Sequence, residues 1–424
     1  MKHQPQATSF ILHKRAWLTV ALLFVVAALN YLDRMMIATM RESIVTAIPM
    51  TDAQFGLLTS VFLWTYGLLS PFAGFIADRF KKTYVIIGSL LVWSGVTWLT
   101  GRATTFEELL TARALMGISE AFYIPAALSL IFDYHKRGTT LSLATGIHLA
   151  GMNVGQSLGF LGGWIAEKAT WNYAFTIFGL IGIVYSVLLI FTLKEAETAH
   201  VDADPDVEKN TQKINFGHVL QAIFKEKSFI YLLLVWCLLG IVGWMVIGWL
   251  PTYYKDQFQL TQGMAGLYAT AYLYPASILG LVAGGFLADR WSKTNPYARI
   301  LVPMAGLCVA APCVFIAGYT HLLVIAIALF MVYAFTKMFV DSNLMPVLCM
   351  LIDTRYRATG YGTLNMLATI VGGIGIYVAG ALRDSQINLG VMYRFAALCM
   401  VICVALLLTI KNIKKHENER KSST

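Results

Sequence analysis

The sequence predicts an all-α polytopic membrane protein, with twelve transmembrane helices in two six-helix bundles and both termini cytoplasmic. Three observations carry the prediction. Of 424 residues, 58% are hydrophobic and only 13% charged, against about a quarter charged in an ordinary soluble domain. Stretches apolar enough to cross about 30 Å of hydrocarbon recur twelve times, six on either side of one polar segment. The basic residues between them are lopsided, 23 on one side and five on the other.

The spans of the first half run roughly over 17–40, 54–76, 83–101, 108–131, 139–163 and 172–193. KEAETAHVDADPDVEKNTQKIN then interrupts the apolar pattern, and FGHVLQAIFKEK at 216–227 has the pattern of an amphipathic helix on the inner membrane surface. The second half follows at roughly 229–250, 263–287, 299–318, 322–347, 359–381 and 391–410. The expected organisation is therefore an N-terminal bundle (1–193), a cytoplasmic linker (194–228), a C-terminal bundle (229–410) and a tail (411–424). MKHQPQATSFILHKR precedes an apolar run of full spanning length without a small-residue cleavage site, so the first helix is read as retained.

Orientation follows from charge. The five basic residues on the sparse side are Arg41, Arg102, Lys168, Lys255 and Arg383, which places that side outside. The same bias accounts for the formal net charge of +9, because basic inner loops face an anionic leaflet. No nucleic-acid partner is needed to explain it. Cys237, Cys308, Cys313, Cys349, Cys399 and Cys403 sit in apolar stretches with neither disulfide-framework nor metal-ligand spacing. With no nucleotide loop or metal cluster in view, neither an enzyme nor a cofactor is expected.

The halves repeat one another. GFIADRFKK at 74–82 returns as GGFLADRWSK at 284–293, and IFDYHKRGTT at 131–140 as LIDTRYRATG at 351–360. Two parallel six-helix repeats around a central cavity are a transporter architecture. Asp78 and Arg79, and their equivalents Asp289 and Arg290, fall where one half meets the other on the cytoplasmic side. A carboxylate there can accept hydrogen bonds across the halves in one conformer and lose them in the next. Anchoring alone needs no acid at both positions, so a gate is expected.

Charge inside the bilayer is costly and marks function. Asp33 and Arg34 lie in ALNYLDRMM, about 100° apart on the first helix. The guanidinium fork suits a carboxylate and Asp33 can titrate; the competing reading is a structural pair. Arg113 and Glu120 lie two turns apart on one face of the fourth helix. Glu120 is placed to exchange a proton, since burial favours its neutral form and a nearby cation its charged one. A permanently satisfied structural Glu is the alternative, and Arg113 is read as structural first. In the fifth helix His148 and Gln156 are candidate substrate contacts, a merely hydrogen-bonded buried His being the alternative for His148, while Gly151, Gly155, Gly159, Gly162 and Gly163 make a smooth packing surface. Lys337 and Asp341 are four apart and either neutralise each other or add positive potential to the cavity and take part in gating. Asn343 and Asn365 are candidate recognition groups, and Tyr31 and Tyr123 are among many aromatics able to stack on a sugar ring.

Together these pieces resemble the major facilitator superfamily along the whole chain. GFIADRFKK is similar to its loop motif between helices two and three, with Lys81 where a Gly is usual, and RALMG at 113–117 to its helix-four motif. Drug antiporters carry a Gly-Pro pair in helix five, which here reads Gly155-Gln156. Within the superfamily, NYLDR at 30–34 and GISEAFYIP at 117–125 resemble the anion:cation symporters, carriers of sugar acids and sialic acid. Spinster-like lipid transporters share the NY-x-DR start and the helix-four Glu. The resemblance implies that Arg34 contacts a substrate carboxylate, that Asp33 and Glu120 couple protons, and that Tyr31, Gln156 and Asn365 line the cavity. The expectation is a monomeric proton symporter in a bacterial cytoplasmic membrane, importing a hexonate, hexuronate or sialic acid. Its partners would be protons, a small organic anion and the bilayer. The alternatives are a spinster-like lysolipid exporter and a proton-coupled carrier of a neutral or amino sugar.

Overall fold

The structure, a computed structural model, describes residues 6–135, 140–196, 216–353 and 356–422; it leaves undescribed the side chains of 6–13, 74, 75, 77, 78, 216–220, 358, 417, 418, 421 and 422. The N-terminal half contains α1 (Gln6–Thr39), α2 (Arg41–Ala47), α3 (Asp52–Arg79), α4 (Lys82–Thr100), α5 (Phe106–Glu120), α6 (Tyr123–His135), α7 (Leu141–Ser157), α8 (Phe160–Lys168) and α9 (Trp171–Thr192). The C-terminal half contains α10 (Phe216–Lys225), α11 (Lys227–Phe258), α12 (Gln262–Thr270), α13 (Leu273–Ser292), α14 (Ala298–Ala317), α15 (Leu323–Leu351), α16 (Arg357–Asp384) and α17 (Leu389–Ser422). Side chains such as Phe191, Val324 and Phe286 are exposed on the outer surface, as lipid-facing positions of a bundle should be.

Among the described residues, eleven helical stretches are long and apolar enough to cross a membrane. The expectation was twelve. The fifth expected span, 139–163, is divided into α7 and α8, with the break at Leu158 and Gly159. The glycines explain the packing there. A Cβ on Gly155 would run into the Ala28 carbonyl of α1, one on Gly159 into Met35 and one on Gly162 into Met36. Backbone therefore meets backbone along α1, an approach only small residues permit.

Two other spans are interrupted in matching fashion. α5 stops at Glu120 and α6 resumes at Tyr123; α12 stops at Thr270 and α13 resumes at Leu273. Pro125 and Pro275 follow these breaks, and each lacks the N–H that would tie its turn to the preceding one. On the face opposite the termini, three helix starts are capped by threonine. Gln54 N donates to Thr51 Oγ1 in a reciprocal capping box, Glu108 N to Thr105 Oγ1 and Met264 N to Thr261 Oγ1. These caps fix where the helices enter from that face.

α10 begins where FGHVLQAIFKEK begins. Its Ile223 is buried, and Phe224 meets the Phe229 ring of α11 edge-on at 5.6 Å. The acidic part of the linker, 197–215, lies outside the described residues.

Candidate functional site

A cavity of about 310 Å³ is lined by both halves. From the N-terminal half it is lined by Tyr31, Arg34, Tyr66 and Gln156, and from the C-terminal half by Trp236, Trp244, Tyr274, Lys337, Asp341 and Asn365. Leu63, Leu239, Ile247 and Leu344 supply apolar wall.

Arg34 dominates its N-terminal side. Tyr31 and Arg34 share a face of α1, three residues apart, while Asp33 turns towards α4 and accepts from Thr97 Oγ1 at 3.2 Å. The guanidinium is held at 4.6 Å over each of the Tyr31 and Tyr66 rings and 5.1 Å over Phe62, a cage that favours a planar cation. Arg34 Nε donates to Glu120 Oε2 at 2.6 Å. Both side chains are almost completely buried, at 3% and 0% exposure. Arg34 Nη2 and Glu120 Oε1 have no hydrogen-bond partner among the described residues. Nε of the guanidinium is thus committed to the carboxylate, while the neighbouring Nη2 remains unused. Because α5 ends at Glu120, the carboxylate sits at a helix interruption inside the bilayer, where broken helices commonly bind ions.

The remaining expected residues fall into distinct places. Gln156 and Asn365 line the cavity. Tyr123 and His148 do not: Tyr123 OH donates to the Leu23 carbonyl at 2.9 Å, its ring is 5.8 Å from that of His148, and both are fully buried in the N-terminal half. Asn343 is also buried and donates to the Phe339 carbonyl at 2.9 Å. Arg113 ties α5 to α3, with Nε donating to the Leu58 carbonyl at 3.4 Å and the guanidinium over Phe62 at 4.7 Å. Lys337 Nζ contacts Asp341 Oδ2 at 2.5 Å, in the cavity wall. Asp289 pairs with Arg299 of its own half at 3.3 Å, and Arg79 and Arg290 are exposed. The Asp78 side chain lies outside the described residues.

A seam across the far face was not anticipated from sequence. Asp52 pairs with Arg41 of its own half and with Arg383 Nε of the other at 3.1 Å; Arg383 Nη2 also holds Asp256 at 2.6 Å. Asp384 accepts from the Asp52 and Ala53 amides at 2.8 and 2.9 Å, so a carboxylate of one half caps a helix of the other. Lys255 reaches Glu42 at 3.0 Å, and the Gln262 amide is bonded to Ser43. Burial, reinforced by the Arg383 charge, lowers the Arg41 pKa, and Asp52 opposes the shift. Deeper in, Ser60 Oγ donates to the Gly373 carbonyl at 2.6 Å and Trp64 Nε1 to that of Ile370 at 3.0 Å. The signal in the sequence is the acid beside four of the five outer basic residues, Arg41, Lys168, Lys255 and Arg383. Trp236 was missed as well.

The profile of the Major Facilitator Superfamily matches residues 23–376. The chain belongs to that superfamily. Its family and fold are those of multi-pass membrane transporters. Among the superfamily's curated members, the chain is 26% identical over 401 residues to protein spinster homolog 1 of Xenopus laevis, covering 90% of this chain and 75% of that one. It is 27% identical over 338 residues to the D-galactonate transporter of Escherichia coli, covering 73% and 75%. In fold it is similar to a bacterial homologue of the human lysosomal transporter spinster, solved in an inward-facing, unoccupied conformation, with a TM-score of 0.75, 22% identity and coverage of 93% and 95%.

Proposed function

We propose that this transporter takes up an organic anion, a sugar acid, together with protons. The observation that carries this reading is Arg34, a buried guanidinium in the lining of the cavity, held through Nε by Glu120 and with a buried Nη2 that has no partner among the described residues. A substrate carboxylate is the natural acceptor for that donor. Protonation of Glu120 weakens its claim on Arg34 and leaves more of the guanidinium for the substrate; deprotonation reverses this and favours release. Asp33, beside Thr97, is the second proton-binding group. Gln156, Asn365 and Tyr31 complete the contacts, and the likeness to a D-galactonate transporter supports the substrate class.

The basic bias of the loops supports a far face directed outward, and the membrane proposed for the carrier is a bacterial cytoplasmic one. Closure along that face, with the cavity beneath it, supports an inward-open state in a rocking cycle. The Asp52–Arg383 bridge then acts as the outer latch. Ser60→Cys places a reporter in this seam, and adding Arg383→Ala is expected to raise its labelling by a membrane-impermeant maleimide at least fivefold. An unchanged rate removes the latch from the mechanism.

The likeness to spinster proteins and the apolar share of the cavity wall favour a second reading, an amphiphile exporter. Proteoliposome uptake separates the two. With an inward proton gradient, hexonates, hexuronates or sialic acid should accumulate several-fold above the no-gradient control. Lysolipid movement without any acidic-sugar uptake would establish the second reading instead.

A further inference from the structure

We propose that Lys337 and Asp341 form a distal subsite that reads the hydroxylated end of the substrate, while Arg34 holds its carboxylate; this rests on the sugar-acid reading above. Both residues lie in the cavity wall on α15, with Leu344 continuing the same face, while Tyr31 and Arg34 of α1 line the cavity from the other half. They touch each other at 2.5 Å, yet their side chains keep 15% and 30% exposure. An ion pair inside a bilayer bundle is an expensive way to fill space, since apolar residues of similar volume are often neutral or better for stability. Retaining it at the cavity surface fits a role in recognition.

The donor and acceptor count defines what is recognised. An ammonium has three N–H donors and a carboxylate about four acceptor sites, so one mutual contact leaves most of both available. The pair is neutral overall and adds little pull on an anion. A second carboxylate on the substrate would face Asp341, and a quaternary ammonium would face Lys337. A hydroxyl both donates and accepts, and neighbouring hydroxyls match a donor set beside an acceptor. The rings of Tyr66, Trp236 and Trp244 also line the cavity and suit the C–H faces of a sugar chain. At about 310 Å³, the cavity is at the small end of ligand sites, which begin at about 300 Å³. The inferred cargo is a compact, singly anionic polyol acid.

Trp236 and Trp244 in the wall allow binding to be followed by intrinsic fluorescence of the full-length protein in detergent, titrated with a six-carbon aldonate and with lactate. The wild type should bind the aldonate at least tenfold more tightly. Lys337→Met and Asp341→Asn should each reduce that ratio to threefold or less. The double variant Lys337→Asp/Asp341→Lys restores an ion pair and guards against a merely structural effect; its ratio should stay collapsed while its thermal stability stays near wild type. A ratio unchanged in the single variants, or recovered in the swapped pair, overturns the distal subsite and leaves the sugar-acid reading intact. A wild type that binds neither acid overturns both.

Discussion

Glu120→Gln is expected to end proton-driven accumulation while preserving exchange. The amide oxygen of Gln can still accept from Arg34 Nε, now 2.6 Å from Glu120 Oε2, so the local geometry has little reason to collapse. What the variant lacks is a group that gains and loses a proton. One pH unit is worth about 1.4 kcal/mol per proton, close to a tenfold concentration ratio. In proteoliposomes with a one-unit inward gradient, the wild type should therefore concentrate the acid several-fold. The variant should level off at a ratio of about 1, yet keep a substantial part of its counterflow exchange of labelled for unlabelled substrate. Exchange matters because it needs the carrier to bind and reorient but not to move a net proton. Gradient-driven accumulation that survives the substitution removes Glu120 from coupling. Loss of exchange together with accumulation makes it a structural partner of Arg34.

How much of this was legible in the sequence depends on the range of the interaction. Apolar spans report on local composition, so eleven of the expected twelve are found among the described residues, two of them with a short interruption. The exception, 139–163, is divided at Leu158–Gly159, where its glycines pack against α1, a tertiary contact that no window of hydropathy registers. Intramembrane charges are conspicuous, and Arg34, Lys337 and Asp341 do line one cavity. Spacing along a helix also separated Asp33 from Arg34 correctly, since a 100° step sends one to Thr97 and the other to Glu120. Cost alone does not tell a recognition group from a buried strut, however. His148, Tyr123 and Asn343 look like polar candidates, yet they are enclosed by their own halves. The far-face seam joins Asp52 to residues more than 300 positions away, which only the docking of two bundles brings together.

Replacing Arg34 is expected to have the largest effect on affinity, and the design must separate binding from stability. Loss of one charge-assisted hydrogen bond costs about 1.5–3 kcal/mol, roughly 10- to 150-fold in Kd. Arg34→Ala should weaken the acid by at least that much, while a neutral analogue such as the corresponding alditol changes less than threefold. The same substitution strands Glu120, whose side chain is fully buried, and breaking a buried pair from one side costs about 3–5 kcal/mol. A loss of binding in the single variant is therefore ambiguous by itself. Arg34→Ala/Glu120→Gln removes the stranded charge and should recover thermal stability without recovering affinity for the acid. Arg34→Lys keeps the charge but not the fork whose separate nitrogens can serve Glu120 and the substrate together, so its affinity should fall between wild type and Arg34→Ala. Equal losses for acid and alditol, or affinity that returns with stability in the double variant, would make Arg34 a scaffold of the N-terminal half. Selective, unrecovered loss for the acid identifies the guanidinium as the group that recognises the anion.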